Sequence, residues 1–359
     1  MVLGFPPASA VYEGGTDRAK YPPDCRPPVD RLAACPAAPL LLAPARSLMP
    51  AHRQPRRSQP PESARNASPR LLGAHHSIAG GLPRAVERAV ATGCDCLQIF
   101  TRNINQWVVK PLEPSVAEAF RAAVAEAGLG LVVAHDSYLI NPASADDTLR
   151  EKSIAGLVTE LERADELGIP WVVAHPGAAG EQDRAVAVRR AADGIAEALK
   201  RTKKLSSGIL IETTAGQGSC LGDTFAEIAA MLHRIDRSKT LRDRVAVCLD
   251  TCHVFAAGYS LAPQAALDQT LRQFDEAIGL ERLKLIHAND SKRECGSRVD
   301  RHEAIGAGKI GREAFGLLVK HPRLDGVPFI LETPKEGADG KPDPANDIRN
   351  LKLLRRLQQ

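Results

Sequence analysis

GILIETTAG (residues 208–216) sets a pattern that the chain repeats: a short apolar run, one charged side chain, then a break into small and polar residues. Such a run is short for a buried helix and rich in Ile and Leu, which suits a strand covered on both faces. The same order recurs upstream in PWVVAHPG (170–177), LVVAHDSY (131–138) and LLGAHHSI (71–78), and downstream in VAVCLDTCH (245–253), LKLIHAND (283–290) and PFILET (328–333). Seven of the eight runs thus end on a single histidine or carboxylate: His75, His135, His175, Glu212, Asp250, His287 or Glu332. The eighth, DCLQIFTRN (95–103), ends on amides and threonine.

Segments with helical spacing separate the runs. Ile154, Leu157, Val158 and Leu161 follow Asp147 and close at Gly168; Phe225, Ile228, Ala229 and Leu232 follow Asp223. Strand and helix alternate about eight times over residues 71–359, which predicts an α/β fold of the (β/α)8 or TIM-barrel type, with parallel strands inside and helices outside. Function in such barrels gathers at the carboxyl ends of the strands, so the polar residues are expected to converge there.

Residues 1–70 differ from the rest. They hold 14 of the chain's 26 prolines, ten Lys and Arg against five acids, and no sustained periodicity, which predicts a disordered extension ahead of a single barrel domain at 71–359. The Arg-flanked stretch at 31–49 is broken by prolines and begins well inside the chain, so a flexible tail or an extended start upstream of Met49 is expected rather than a targeting peptide. Of the chain's net charge of +4, that tail carries +5, leaving −1 for the barrel. A uniformly basic surface for nucleic acid is therefore excluded, and a polyanion would need a local basic face or bound cations. No run of about 18 apolar residues is present, so no membrane span is expected. The eight cysteines are scattered without zinc-finger pairing, which suits reduced thiols in a cytoplasmic protein.

A mouth receiving His135, His175, Glu212, Asp250, His287 and Glu332 would crowd three carboxylates, each costing several kcal/mol unless neutralised. No inward Lys or Arg adjoins them, whereas imidazole and carboxylate are usual ligands of Zn²⁺ and similar ions. His253 follows in DTCH, and Asp300 and His302 project together from an extended SRVDRHEAIG segment. These nine candidate ligands are too many for one ion and suit three. Singly, each has a plainer reading: a strand-end histidine is most often a satisfied structural residue, and an Asp before a loop most often a helix cap. Jointly, at equivalent places around one barrel, they point to metal. His76, His233 and His321 are read as surface or packing residues, and glycine-rich GAGKIG (306–311), lacking a Lys-Ser/Thr ending and a preceding apolar strand, as a plain turn.

The chain resembles the endonuclease IV family, the zinc-dependent apurinic/apyrimidinic endonucleases. The likeness lies in HDSYLINPAS (135–144), AHPG (174–177), IETTAGQGSCLG (211–222), CLDTCHVFAAGY (248–259), HANDSK (287–292), GSRVDRHEAIGAGKIG (296–311) and LET (331–333), and runs from about residue 71 to about 355. The resemblance implies three zinc ions, manganese being an alternative at one site. The first would be held by His135, His175 and bridging Glu212, the second by Glu212, Asp250, His287 and Glu332, and the third by His253, Asp300 and His302. It implies hydrolysis of the phosphodiester bond 5′ to an abasic site, leaving a 3′-hydroxyl and a 5′-deoxyribose phosphate, and removal of 3′-blocking groups. Glu212 is the residue expected to fix the first two ions and to be indispensable to catalysis.

The implied substrate is double-stranded DNA with abasic sites, and the implied state a monomer. TRNINQW (101–107) and DSYLI (136–140) match the segments that enter the duplex, so Asn103, Asn105, Gln106, Tyr138 and Leu139 are the expected DNA contacts. Trp107 and Tyr138 could instead pack. Asn105 departs from the family, many of whose members place an arginine there to fill the gap left by the flipped nucleotide; weaker lesion binding is expected. An isomerase or epimerase on the same barrel is the alternative, because Glu212, Asp250, His287 and Glu332 alone satisfy its pattern. A non-catalytic DNA-binding module is the third reading, and it predicts binding without metal.

Overall fold

The computed structural model describes residues 70–337 and 341–359. Except for Arg70, the extension expected over residues 1–70 lies outside the described residues. Eight parallel strands close into a barrel: β1 (Leu72–His75), β2 (Cys96–Phe100), β3 (Leu131–His135), β4 (Trp171–Ala174), β5 (Gly208–Glu212), β6 (Val245–Asp250), β7 (Leu283–His287) and, last in the chain, β10 (Phe329–Leu331), which pairs with both β7 and β1. Between β7 and β10 a two-stranded antiparallel ribbon, β8 (Asp290–Ser291) with β9 (His302–Glu303), stands apart from the barrel.

The strands are apolar on both faces because both are covered. Alternate residues such as Leu97, Ile99, Val132, Ala134, Ile209 and Ile211 pack outward with the surrounding helices, while Cys96, Val133, Val173, Leu210, Cys248, Leu285 and Ile330 form a separate cluster within the barrel. Gly73 holds the matching place on β1, where a Cβ would lie 1.9 Å from the Cys96 carbonyl oxygen, so only glycine lets β1 and β2 approach.

Helices α1 (Leu82–Thr92), α2 (Pro114–Ala127), α3 (Asp147–Glu166), α4 (Arg184–Arg201), α5 (Phe225–Ile235), α6 (Lys239–Arg242), α7 (Thr251–Ala257), α8 (Gln264–Ala277), α9 (Gly311–Lys320) and α10 (Pro344–Gln358) occupy the intervals and the chain end. Two helix starts sit one residue from the expected caps. Asp146, not Asp147, caps α3 by accepting from Thr148 N and Leu149 N, and Thr224, not Asp223, caps α5. Asp223 is drawn elsewhere, into ion pairs with Arg184 and Arg298. Arg70 fastens the start of the barrel to its end: its buried guanidinium donates to the Val319 carbonyl (3.2 Å) and lies 5.0 Å over the Phe329 ring. Among the described residues no helix is long and apolar enough to cross a membrane, and six free cysteines are present.

Candidate metal centre

Two residues beyond each inward apolar side chain, the strand period brings the next inward position to the carboxyl end. Those positions are His75, Gln98, His135, His175, Glu212, Asp250, His287 and Glu332. Seven are the strand-end residues read from the sequence. On β2 the place falls to Gln98, ahead of the threonine and amides on which that run was expected to end.

Fully buried Glu212 stands at the centre and divides its oxygens between two groups. Its Oε2 is 3.2 Å from His135 Nε2 and 2.8 Å from His175 Nε2; its Oε1 is 3.0 Å from His287 Nδ1 and 3.4 Å from His253 Nδ1. His287 Nδ1 also lies 3.2 Å from Glu332 Oε2 and 3.9 Å from Asp250 Oδ2. The ligand atoms of His135, His175 and Glu212 fall within 4.8 Å of one another, as do those of Glu212, Asp250, His287 and Glu332.

His253 on α7, Asp300 just ahead of β9 and His302 on β9 form the remaining group. Asp300, 42% exposed, sets Oδ2 3.1 Å from His253 Nε2 and Oδ1 3.3 Å from His302 Nε2. Asp250 and Cys252 also lie close to this group, Asp250 with His253 and His302, and Cys252 with Asp300 and His302. Asp250 unites its plain and its chemical readings: Oδ1 caps α7 by accepting from His253 N (2.9 Å), while Oδ2 faces His287 and His302.

Four of the five imidazoles in this cluster are oriented by an acceptor behind them. His135 Nδ1 donates to the Asp136 carbonyl (3.0 Å), His253 Nδ1 to the Thr213 carbonyl (2.8 Å), His302 Nδ1 to the Glu332 carbonyl (3.2 Å) and His287 Nε2 to Gln98 Oε1 (2.8 Å). Each acceptor fixes where one hydrogen sits, so the second nitrogen turns toward a carboxylate. In a neutral ring that nitrogen carries a lone pair, and lone pair against carboxylate is repulsive unless a cation lies between them. A proton or a metal ion can serve. His302 Nε2 is buried without a hydrogen-bond partner, which leaves it open to such an ion. The donor set therefore fits divalent metal.

The electrostatics agree. Burial pulls the His135 imidazole toward neutrality, but the Glu212 carboxylate overrides it and raises the pKa to about 10. Burial likewise opposes protonation of His253, which Asp250 and Asp300 raise well above its usual range, and of His287, which Glu332 and Glu212 raise. Against its own desolvation, Glu212 is held well below the ordinary carboxylate range by His175 and His287. Where no metal is bound, protons on these imidazoles would supply the positive charge that the carboxylates demand.

Several residues missed in the sequence complete the site. Fully buried Gln98 spends both amide hydrogens, on Glu332 Oε1 (2.5 Å) and His75 Nδ1 (3.0 Å), and its oxygen on His287. Asn289 Nδ2 donates to Asp250 Oδ2 (2.6 Å) and its oxygen accepts from Glu332 N (2.7 Å). The alternation of inward and outward residues on β2 points to Gln98; nothing local in HANDSK singles out Asn289. His75 leans on Phe100, with 4.4 Å between ring centroids, and burial lowers its pKa to about 3.

Beside the cluster, Tyr138 is 65% exposed, with its ring 6.1 and 6.3 Å from those of His135 and His175. Asn103, Asn105 and Gln106 are exposed, Leu139 is half-buried, and Trp107 packs partly buried against the core. Asn103 Oδ1 accepts from Asn105 N (3.0 Å), and Ser137 Oγ donates to the Ile104 carbonyl (2.5 Å), tying the two loops together. At the loop's base, buried Arg102 Nε pairs with Glu160 Oε1 (2.6 Å) and Thr101 Oγ1 donates to Glu160 Oε2 (2.7 Å).

Of the histidines set aside, His76 and His321 are buried and hydrogen-bonded to Thr92 and Asp268, and His233 is exposed. GAGKIG is more than a plain turn. Its backbone N–H groups converge on the buried Asp290 carboxylate, a contact between residues far apart in the chain that no local motif announces.

Fold and site together define a barrel protein with a cluster of imidazoles and carboxylates at its mouth, and residues 86–357 match the family described as a xylose isomerase-like TIM barrel. Within that class, the "Probable endonuclease 4" of Chloroflexus aurantiacus is 45% identical over 288 residues, which cover 80% of this chain and 98% of the relative. The crystal structure of endonuclease IV from Thermus thermophilus is 38% identical with a TM-score of 0.69, covering 80% of this chain and 98% of that one. The chain belongs to the endonuclease IV family. A D-psicose 3-epimerase structure, 17% identical with a TM-score of 0.58 over 80% of this chain and 99% of its own, shares the fold alone.

Proposed function

We propose that the protein is a DNA-repair endonuclease that hydrolyses the phosphodiester bond 5′ to an abasic site in double-stranded DNA, leaving a 3′-hydroxyl and a 5′-deoxyribose phosphate. Trimming of blocked 3′ ends belongs to the same chemistry, carried out by a cytoplasmic monomer. Three zinc ions would be held by His135, His175 and Glu212, by Glu212, Asp250, His287 and Glu332, and by His253, Asp300 and His302, with manganese the alternative at one of them. The observation that carries this reading is the division of Glu212, each of whose oxygens faces a different ligand group, as a shared ligand requires.

When bound, such ions lower the pKa of water toward about 7 and stabilise negative charge on phosphate and leaving oxygen. The chain's own residues do the rest. Asp136, Thr213, Glu332 and Gln98 keep the imidazoles turned inward by accepting from their rear nitrogens. Tyr138, exposed beside His135 and His175, stands where the strand would arrive, and Leu139, Asn103, Asn105 and Gln106 face the duplex from the two joined loops. Extruding a nucleotide costs a few kcal/mol, least where the base is already missing, which favours an abasic site.

An epimerase reading draws on the Glu212, Asp250, His287 and Glu332 group, but leaves His135, His175, His253, Asp300 and His302 without a task. Metal analysis of the purified full-length protein, with an assay on a duplex holding one abasic site, tests the proposal. Three ions per chain and nicking that a chelator stops are expected. One or two ions with ketose epimerisation and no nicking would overturn it in favour of the epimerase; metal-independent binding without cleavage would mark a DNA-binding module.

A further inference from the structure

GAGKIG folds into an anion-binding nest whose anion is part of the chain. Asp290 is fully buried, and five backbone N–H groups donate to its carboxylate: Gly306 N (2.8 Å) and Gly308 N (3.1 Å) to Oδ2, and Ser291 N (2.8 Å), Ile310 N (3.0 Å) and Gly311 N (3.4 Å) to Oδ1. Convergent N–H groups of this kind ordinarily cradle phosphate. Here there is no room for one. A Cβ on Gly308 would already lie 2.4 Å from both Asp290 Oδ1 and the Ser291 carbonyl.

What this closure joins gives it a use. Asp290 lies three residues after His287, next to Asn289, which holds the Asp250 carboxylate. The loop it grips is separated by two residues from β9, which carries His302 two residues after Asp300. The ribbon between them is two residues long on each side, pairing Asp290 with Glu303 and Ser291 with His302. So short a ribbon is marginal alone; Lys309 N donating to the Ser291 carbonyl (2.7 Å) and Lys292 N to the Arg301 carbonyl (2.9 Å) add two backbone ties, and Asp300 N donates to Gln217 Oε1 (3.0 Å). With Asp300 42% exposed and His302 partly so, little apolar packing fixes them.

We propose that Asp290 is a positioning residue for the third metal group: by filling the GAGKIG nest it holds β9, and so Asp300 and His302, at a set distance from the barrel ligands. The inference rests on the three-ion reading above. Asp290 touches no ion itself; it places the segment that does.

The test is metal content and zinc dissociation of full-length wild type, Asp290→Asn and Gly308→Ala. Asp290→Asn keeps the shape but removes the charge and turns amide hydrogens toward backbone N–H. Gly308→Ala keeps the carboxylate and displaces it. Each is expected to weaken one of three ions 10–100-fold, the usual effect of losing an outer-shell partner, and to leave the other two unchanged. In Asp290→Gly, added formate should enter the vacated nest and restore the third ion, which a general loss of stability would not allow. Three ions held with unaltered dissociation in both variants, or uniform loss of all three, would overturn the inference while leaving the functional reading intact. Fewer than three ions in the wild type would overturn the functional reading, and this one with it.

Discussion

Gln98 Oε1 lies 2.8 Å from His287 Nε2, and this one contact decides which nitrogen of His287 faces the carboxylates. An amide oxygen only accepts, so Nε2 carries the hydrogen and Nδ1 turns toward Glu212 and Glu332. Gln98→Met, close in volume, removes that acceptor and both donors. Affinity for the ion held by Glu212, Asp250, His287 and Glu332 should fall 10–100-fold, and the unfolding free energy should fall by about 1–3 kcal/mol as the buried partners of Gln98 lose their hydrogen bonds. Competition with a chromophoric chelator measures it; unchanged affinity would show that His287 is oriented by its carboxylates alone.

Glu212→Gln keeps the volume and loses the charge that two ligand groups share. Incision of an abasic duplex should drop by more than about 100-fold, beyond the usual cost of an outer-shell change, while circular dichroism stays that of the wild type. Retained incision in the metal-replete variant would rule out Glu212 as the shared ligand.

The barrel was legible because strands buried on both faces read as unbroken apolar runs and the site residues ride the same period of two. The alternation on β2 marks Gln98 as inward, but an uncharged amide carries no sign of need; its importance comes from three partners on β1, β7 and just past β10 that only closure brings near. Asp146 rather than Asp147 caps α3 because either could supply the oxygen and backbone angles choose between them. Asp290 was invisible for a different reason: its partners in the glycine-rich loop lie sixteen to twenty-one residues away along the chain.

Asn105 stands exposed on a loop whose relatives by resemblance often carry arginine there. A guanidinium plane would stack in the gap beside the lesion, and stacking contributes about 1–3 kcal/mol per base. Asn105→Arg should therefore tighten binding of an abasic duplex by about fivefold or more, with undamaged duplex gaining less. Fluorescence anisotropy on the two duplexes settles it; equal gains would reveal a simple charge effect.

The same loop depends on its base. Arg102 and Glu160 form a buried pair, and removing one partner of such a pair strands a charge, at about 3–5 kcal/mol. Glu160→Ala should lower the unfolding free energy by that amount in denaturant titration. Replacing both together, Arg102→Met with Glu160→Leu, should recover most of the stability yet still weaken lesion binding, because Thr101 and Arg102 no longer anchor the segment bearing Asn103, Asn105 and Gln106. If lesion affinity returned along with stability, the pair would be packing and nothing more.

Metal removal should give the protein an inverted dependence on pH. Without ions, the His135 pKa stands near 10 against an ordinary 6.5, so the folded state binds a proton the unfolded chain gives up. That contribution is complete below pH 6.5 and is lost as pH rises toward 10; His253 and His287 shift in the same direction. Glu212 runs the other way: its depressed pKa contributes above the ordinary 4.5 and is lost as pH falls. His75, which burial lowers to about 3, works against the folded state as pH falls below 6.5, so chelated protein should unfold at its highest temperature near pH 6.5 and lose stability steadily above it. Metal-loaded protein should do the reverse, because the ions need neutral imidazoles and acid returns protons to them. Calorimetric unfolding of the two forms from about pH 4 to about pH 10 would show two curves that cross. Parallel curves would mean that these imidazoles do not exchange protons for metal.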